Sequence, residues 1–468
     1  VPFTTCAVSL KGYYSDIVAK VGRPFFIRND MKANRHFTIW LLAFLALSEV
    51  PMAGQEARER WERMNQIRRE KFDQILPEVM RENGIDMWIT MIREANYGTL
   101  YLDFGQGYTG NTGYYIFTDR GGERIERAAL GITGYRIRQS GAYDLFESAN
   151  RLADFVQERQ PKRIGINTSR AIGPIDNLTY AGYQQLVETL NEPYASRLVS
   201  AEKLVSDFRS RRTTTEIAAF AEAGEISRQI AERALSNEVI TPDVTMLEDV
   251  AWWMMDQLLA RGLDTSFGLP SVYITGPNGI EATSSARIIR RGDLLMIDWG
   301  VGYLNMYTDM KRIAYVLMNG ESTVPASFQR AFDQGRKART IITETIRPGI
   351  AAAQAEQEIY DALAEAGFQR IDFNEPTDNP DVTDVVIGSH SVGNSGHGIG
   401  PSIAFFNPVR IEYTLQPTNL LSIELFAYTA VAEWNDKKVR IPLEDDAVLT
   451  ARGIEWLYPV NERILLIR

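Results

Sequence analysis

The sequence predicts a two-domain chain in which an α/β domain precedes a larger α+β domain, and three observations carry that reading. Strand-like and helix-like segments alternate from about residue 56 to about residue 205, the pattern of an α/β domain with its own core. The stretch LVSDFRSRRTTTEIAAFAEAGEISRQIAERALS then opens a long amphipathic helix behind a polar run at Thr213, Thr214 and Thr215, with Glu216 placed to complete a capping box. The final part of the chain returns to strands. At 468 residues and 45 % apolar composition there is room for two or three domains and ample material for a core.

Taken in order, Glu56 to Asn83 has a helical period, with Trp61, Met64, Ile67, Phe72, Ile75 and Val79 on one stripe and Gly84 as the stop. IDMWITMI is a buried strand, and YYIFTDRGGERIERAAL is strand, turn, strand, with Asp119 to Gly122 supplying the turn. RIGINTS is a further strand and LTYAGYQQLVETL a helix. In the second domain Leu247 to Leu263 is helical and SVYITG extended. Asp293 to Gly300 and Met306 to Leu317 form two strands joined by a glycine-containing turn. Ser327 to Arg347 and Ala351 to Gly367 are two more helices.

A formal charge of −10 and an isoelectric point near 5.2 argue against nucleic acid as a partner, because phosphate binding requires a basic face. The single cysteine, Cys6, can form no internal disulfide. From Met31 the chain reads as a secretory signal: Lys32 and Arg35, an uncharged apolar run from Phe37 to Leu47, then small residues at Ala53 and Gly54. That run is well short of the roughly 20 residues that span a bilayer, so no stable membrane anchor is expected. The expected organisation is an upstream extension over residues 1–30, a signal peptide over 31–54, an N-terminal α/β domain over 55–205 and a second, larger domain over 206–468. The mature chain would start near Gly54 or Gln55 and be exported, to the periplasm or outside the cell.

Five candidate metal ligands follow in order through the last third of the chain. They are Asp298 in GDLLMIDWG, Asp309 in YTDMKR, His397 in SGHGIGPS, Glu424 in LLSIELF and Glu444 in PLEDDAVLT. Asp298 ends an apolar strand and Asp309 lies early in the next, so a hairpin can bring both to one end of a sheet. Glycines flank His397 and let backbone approach a ligand. A buried carboxylate in an apolar strand costs several kcal/mol unless paired or metal-bound, and both glutamates stand in such strands. One imidazole and four carboxylates suit a pair of divalent first-row metals.

In order and context these motifs resemble the pita-bread metallopeptidase family, which includes methionine aminopeptidase, aminopeptidase P, prolidase and the metal-free creatinase. The resemblance runs from about residue 56 to the end and implies a creatinase-like α/β N-terminal domain followed by an α+β pita-bread catalytic domain. It implies that Asp298 chelates one metal, that Asp309 and Glu444 bridge two, and that His397 and Glu424 complete the second site. A hydroxide bridging the metals would attack the scissile carbonyl, with Glu424 moving the proton to the leaving amine. The resemblance favours Mn²⁺, with Co²⁺, Zn²⁺ and Fe²⁺ as alternatives, short peptides with proline beside the scissile bond as substrates, and a homodimer.

Several positions depart from the family pattern. Thr283 stands where a histidine usually follows the GxN segment, and Ala404 where a second histidine follows the metal histidine. His36 falls in the signal, so His390 in GSHSVGNSGHG is the one spare imidazole: it either replaces a missing histidine at the site or serves the surface or core. Pro442 replaces an arginine two residues before Glu444, and Arg440 is the candidate to act in its place. Thr283, His390, Arg440 and Glu424 are therefore the expected catalytic groups. Trp299, Tyr303, Tyr307, Phe405 and Phe406 offer an apolar wall, with Tyr303 and Phe406 nearest the metal motifs. The function expected is a dinuclear Xaa-Pro peptidase of the prolidase or aminopeptidase P type. The alternatives are a pita-bread hydrolase or lyase of a small non-peptide metabolite, and a binding protein without turnover.

Overall fold

The computed structural model describes residues 53–371, 375–394, 398–404 and 406–468. Nearly all of the expected signal segment, together with Cys6, His36, His397 and Phe405, lies outside them. The chain divides into two units, Val1–Glu59 and Arg60–Arg468. The helix Ala53–Glu70 continues through a short π-helical stretch, Lys71–Ile75, into the helix Leu76–Glu82. Of its predicted apolar stripe Ile67, Phe72 and Val79 are buried, whereas Trp61, Met64 and Ile75 are only half-buried; past the π-helical stretch, which shifts the helical period, Leu76 is buried in place of Ile75.

The N-terminal sheet contains β1 (Met87–Ile92), β2 (Gly113–Thr118), β3 (Glu126–Leu130), β4 (Leu145–Glu147), β5 (Ile164–Ile166) and β6 (Leu198–Ser200), in the order β4-β3-β2-β1-β5-β6. The unbroken apolar run of β1 is explained by burial on both faces. Trp88 and Ile92 join Phe72, Phe104, Phe117 and Phe208 on one side, while Met87 and Ile89 meet Phe155, Val156 and Leu186 on the other. The aromatic side is closely packed, with ring centroids 4.9 Å apart for Phe72 and Phe117 and 5.5 Å apart for Trp88 and Phe208. Phe208 belongs to the helix Glu202–Ser210, so this core draws on chain up to the polar run that opens the next helix.

That helix, Thr214–Ala234, has the expected capping box: Thr213 Oγ1 accepts from Glu216 N–H, and the Glu216 carboxylate accepts from Thr213 N–H. Glu216 is itself buried between two cations. Lys71 Nζ donates to both its oxygens at 3.0 Å, and an Arg212 Nη lies 2.9 Å from one of them.

The catalytic region adds β7 (Asp264–Thr265), β8 (Ser271–Gly276), β9 (Gly279–Glu281), β10 (Leu294–Trp299), β11 (Val301–Tyr303), β12 (Met306–Tyr307) and β13 (Met310–Val316). It continues with β14 (Gln369–Arg370), β15 (Asp384–Ile387), β16 (His390–Ser391), β17 (Leu420–Ala430), β18 (Lys438–Thr450), β19 (Gly453–Trp456) and β20 (Leu465–Ile467). These form a five-stranded sheet β20-β13-β10-β8-β9, a small sheet β12-β11-β7, and a third sheet β14-β15-β17-β18-β19 with β16 also paired to β17. Helices Thr214–Ala234 and Leu247–Ala260 cover one sheet through Ile230, Val250 and Met254 against Leu295, Ile297 and Val316. Helices Ala326–Thr345 and Ala352–Glu365 cover the other through Phe332, Ile342 and Ile359 against Leu421, Ile423, Leu425 and Leu443. The chain is thus an α/β N-terminal region followed by a pita-bread catalytic domain. Among the described residues no helix is long and apolar enough to cross a membrane.

Candidate metal centre

Alternation along β17 and β18 creates one wall of the site. Leu421, Ile423 and Leu425 point under the helices, so Ser422, Glu424 and Phe426 take the opposite face. In the antiparallel register Glu424 faces Glu444 and Ser422 faces Asp446, and β16 sets His390 opposite Ser422. The consecutive long strands β17 and β18 therefore bring two carboxylates together, and the short β16 adds an imidazole beside them.

The other wall comes from β10 and β13. The chain between them folds tightly: Val301 N–H donates to Thr308 Oγ1 at 2.8 Å, Thr308 N–H to Val301 O at 3.0 Å, and Ser266 Oγ to Thr308 O at 2.7 Å. Gly300 permits this, because a Cβ there would lie 1.7 Å from Thr308 O and 2.4 Å from Ser266 Oγ. Asp309 follows just before β13, and its N–H donates to Asp446 Oδ2 at 3.1 Å, tying the two walls together.

Across the β10–β13 ladder Asp298 faces Lys311. The Lys311 side chain is buried, and its ammonium lies among the carboxylates. Nζ is 2.7 Å from Glu424 Oε1 and 3.2 Å from Asp298 Oδ2, and it also donates to Glu444 Oε2. Burial works against that charge, but the carboxylates of Asp298, Glu424, Glu444 and Asp309 outweigh it and hold the ammonium well above the ordinary lysine range. Glu444 is affected in the opposite direction: burial would raise its carboxyl, but Lys311 and His390 pull it down to about 2. Burial and the neighbouring Glu444 push both Asp309 and Glu424 up, and burial raises Asp298 against the pull of Lys311.

His390 is the imidazole that the structure brings to these carboxylates; His397 lies outside the described residues. His390 Nε2 is 3.5 Å from Glu444 Oε1, 3.8 Å from Glu424 Oε2 and 4.0 Å from Asp309 Oδ2. Nδ1 is 3.0 Å from Ser391 O. A carbonyl only accepts, so Nδ1 carries the hydrogen, and Nε2 is turned toward three carboxylates. The carboxylates of the cluster outnumber its one lysine, which leaves room for a further positive centre. Asp309, His390 and Glu444 each offer a ligand atom within 4.8 Å of the others, and all three are buried. Among the described residues Asp309 Oδ1 has no hydrogen-bond partner, the mark of an oxygen left for a ligand. The donor set therefore fits one divalent ion at Asp309, His390 and Glu444. Glu444 Oε1 is steadied by Ser422 Oγ at 2.6 Å, and the Ser391 carbonyl orients the imidazole, as ligand supports commonly do.

A cavity of about 240 Å³ opens onto this cluster, walled by Phe267, Ser271 and Phe406. Phe406, singled out from the sequence, does line it. Tyr303 does not: its ring lies 5.4 Å from the Arg60 guanidinium and 5.9 Å from that of Arg63. Trp299 is fully buried in the core. Thr283 does not line the cavity; its hydroxyl accepts from Val272 N–H at 2.8 Å and donates to Val272 O at 3.0 Å, beside Ser271. Arg440 lies farther along the same face of β18, stacked 3.9 Å from the Phe426 ring centre, and lines a separate cavity of about 500 Å³ with Tyr428 and Lys438. The side chains that sequence reasoning missed are Lys311, Ser422 and Asp446. Lys311 was signalled by YTDMKR, since a residue two beyond Asp309 on a strand shares its face.

Residues 218–451 match the sequence pattern of Metallopeptidase family M24. The chain is 22 % identical over 392 residues to the uncharacterized peptidase YqhT of Bacillus subtilis, covering 79 % of this chain and 92 % of that one. It is 27 % identical over 205 residues to the probable dipeptidase PepE of Mycobacterium tuberculosis, covering 43 % of this chain and 47 % of that one. Among solved structures it is similar in fold to an X-Pro aminopeptidase from Thermotoga maritima, with TM-score 0.59 and 18 % identity over 83 % of this chain and 99 % of that chain. An Xaa-Pro dipeptidase from Bacillus anthracis gives TM-score 0.56 and 19 % identity over 86 % of this chain and 99 % of the other.

Proposed function

The chain belongs to metallopeptidase family M24, and from that premise we propose that it is a metal-dependent hydrolase of short peptides, of the Xaa-Pro dipeptidase or aminopeptidase type, with Asp309, His390 and Glu444 holding the ion. The observation that carries the reading is the convergence of these three buried donors at the mouth of a cavity large enough for a small amide. A divalent ion bound there supplies a Lewis acid for water activation and carbonyl polarisation.

The remaining work falls to side chains of this protein. Glu424 presents Oε2 toward His390 and the cavity while Lys311 holds Oε1. Burial and Glu444 raise its carboxyl, the direction a group needs if it is to take a proton from water and return it to the leaving amine near neutral pH. Phe267 and Phe406 line the cavity and offer apolar surface to a substrate side chain. Preference for proline draws its support from the X-Pro aminopeptidase and Xaa-Pro dipeptidase that share the fold. Export after loss of residues up to Gly54 is part of the proposal, on the composition of residues 31–54, and intact-mass analysis of secreted protein tests it.

One observation favours a second reading, hydrolysis or lysis of a small non-peptide metabolite: the Lys311 ammonium within the cluster alters the charge a substrate meets. The test is amino-acid release from a panel of Xaa-Pro dipeptides and tripeptides by protein stripped with chelator and reloaded with Mn²⁺, Co²⁺ or Zn²⁺, beside His390→Ala. Metal-restored cleavage that His390→Ala lacks is expected. Binding of metal without cleavage of any peptide would shift the assignment to the non-peptide substrate.

A further inference from the structure

We propose that the ammonium of Lys311 takes the place of a second metal ion, so that this centre binds a single divalent cation. The inference rests on the reading that Asp309, His390 and Glu444 hold a metal, and it divides the cluster into two halves. On one side Asp298 Oδ2 and Glu424 Oε1 are committed to Nζ, at 3.2 and 2.7 Å. On the other, Asp309 Oδ1 lacks a partner among the described residues and His390 Nε2 faces the same space. Glu444 stands between them: Oε2 accepts from Lys311, and Oε1 accepts from Ser422 and lies beside His390. The cluster thus has two places for positive charge joined by a shared carboxylate, and a covalently attached cation fills one.

Three features hold the lysine there. Its Cα faces that of Asp298 in a regular antiparallel ladder, so the side chain enters the cluster without backbone distortion. Its side chain is buried, with the Phe426 ring 5.4 Å from Nζ. Charge balance points the same way. Asp298, Asp309, Glu424 and Glu444 together with one dication and one ammonium stay slightly negative, whereas two dications beside that ammonium would make a buried pocket positive. Metal–oxygen bonds of about 2.0–2.2 Å would also require oxygens now held by Nζ to turn away from it.

The test is to strip the full-length protein with chelator, titrate it with Mn²⁺, count ions per chain by mass spectrometry of the metal after desalting, and record the low-temperature electron paramagnetic resonance spectrum. Wild type is expected to retain one Mn²⁺ with an uncoupled six-line signal. Lys311→Met is expected to gain a second ion and a spin-coupled signal. Asp298→Asn removes a group that serves only the lysine side and is expected to keep the single ion; its loss would overturn the inference even if Lys311→Met fails to fold. Two coupled ions in wild type would overturn the inference and leave the metallohydrolase reading intact. No retained ion in wild type would overturn both.

Discussion

Gly388 supports the site at a point where a single methyl group tests the geometry. It lies beneath Glu424, and a Cβ at position 388 would fall 2.2 Å from Glu424 Oε2, 2.7 Å from Cδ and 3.1 Å from Cγ. The backbone cannot relieve this by sliding, because Gly388 N–H donates to Glu424 O at 3.0 Å, and Ser389 Oγ bonds both Glu424 O and Glu424 N–H at 3.1 Å. Gly388→Ala must therefore swing the carboxylate out of its place and break its 2.7 Å bond with Lys311. Overpacking of this kind costs about 1–3 kcal/mol, and displacing a proton-carrying group is expected to lower kcat by about 10²–10⁴-fold. Urea unfolding gives the stability term and peptide release the rate. All three crowded atoms belong to Glu424, so in a Glu424→Ala background the same substitution should cost less than about 0.5 kcal/mol, a coupling that a double-mutant cycle measures. Gly388→Ala with wild-type stability and rate, or with equal cost in both backgrounds, would refute the argument.

Two further perturbations probe the frame around the site. Gly300→Ala would drive a methyl group into the Thr308 carbonyl and force apart the turn that sets Asp298 and Asp309, so a loss of at least about 1–3 kcal/mol in urea unfolding is expected; a change below about 0.5 kcal/mol would show that the turn yields freely. Glu216→Gln keeps the cap but leaves Lys71 and Arg212 buried without their shared countercharge, and should cost about 3–5 kcal/mol by the same measurement. That network also gives a pH signature. Burial lowers the Lys71 pKa to about 7 against the restoring pull of Glu216, while the unfolded chain holds its proton up to about 10.5. The unfolded state thus binds more protons between these values, and this group's contribution to stability rises with pH from about 7 to about 10.5. In Glu216→Gln the restoring pull is gone and the rise should begin at lower pH; an unchanged profile would refute the assignment.

The sequence alone determined the order of elements and four of the oxygen ligand candidates, because these depend on local patterns. Apolar period gave the helices, Thr213 and Glu216 gave the cap, and carboxylates within apolar strands declared themselves by a burial cost that something must offset. LLSIELF even contained the alternation that aims Ser422 and Glu424 away from the core. Its motif contexts were also sufficient for the family resemblance. Tertiary structure decided which groups share the cluster. Whether Lys311 meets solvent or carboxylates depends on the β10–β13 register, and whether His390 is spare or central depends on its pairing across β17, since a register shift of one residue would turn either side chain to the other face. Strand pairing between distant segments has no local signature. For that reason the acids were visible in the chain, while the lysine and the imidazole that sit among them were placed only by the fold.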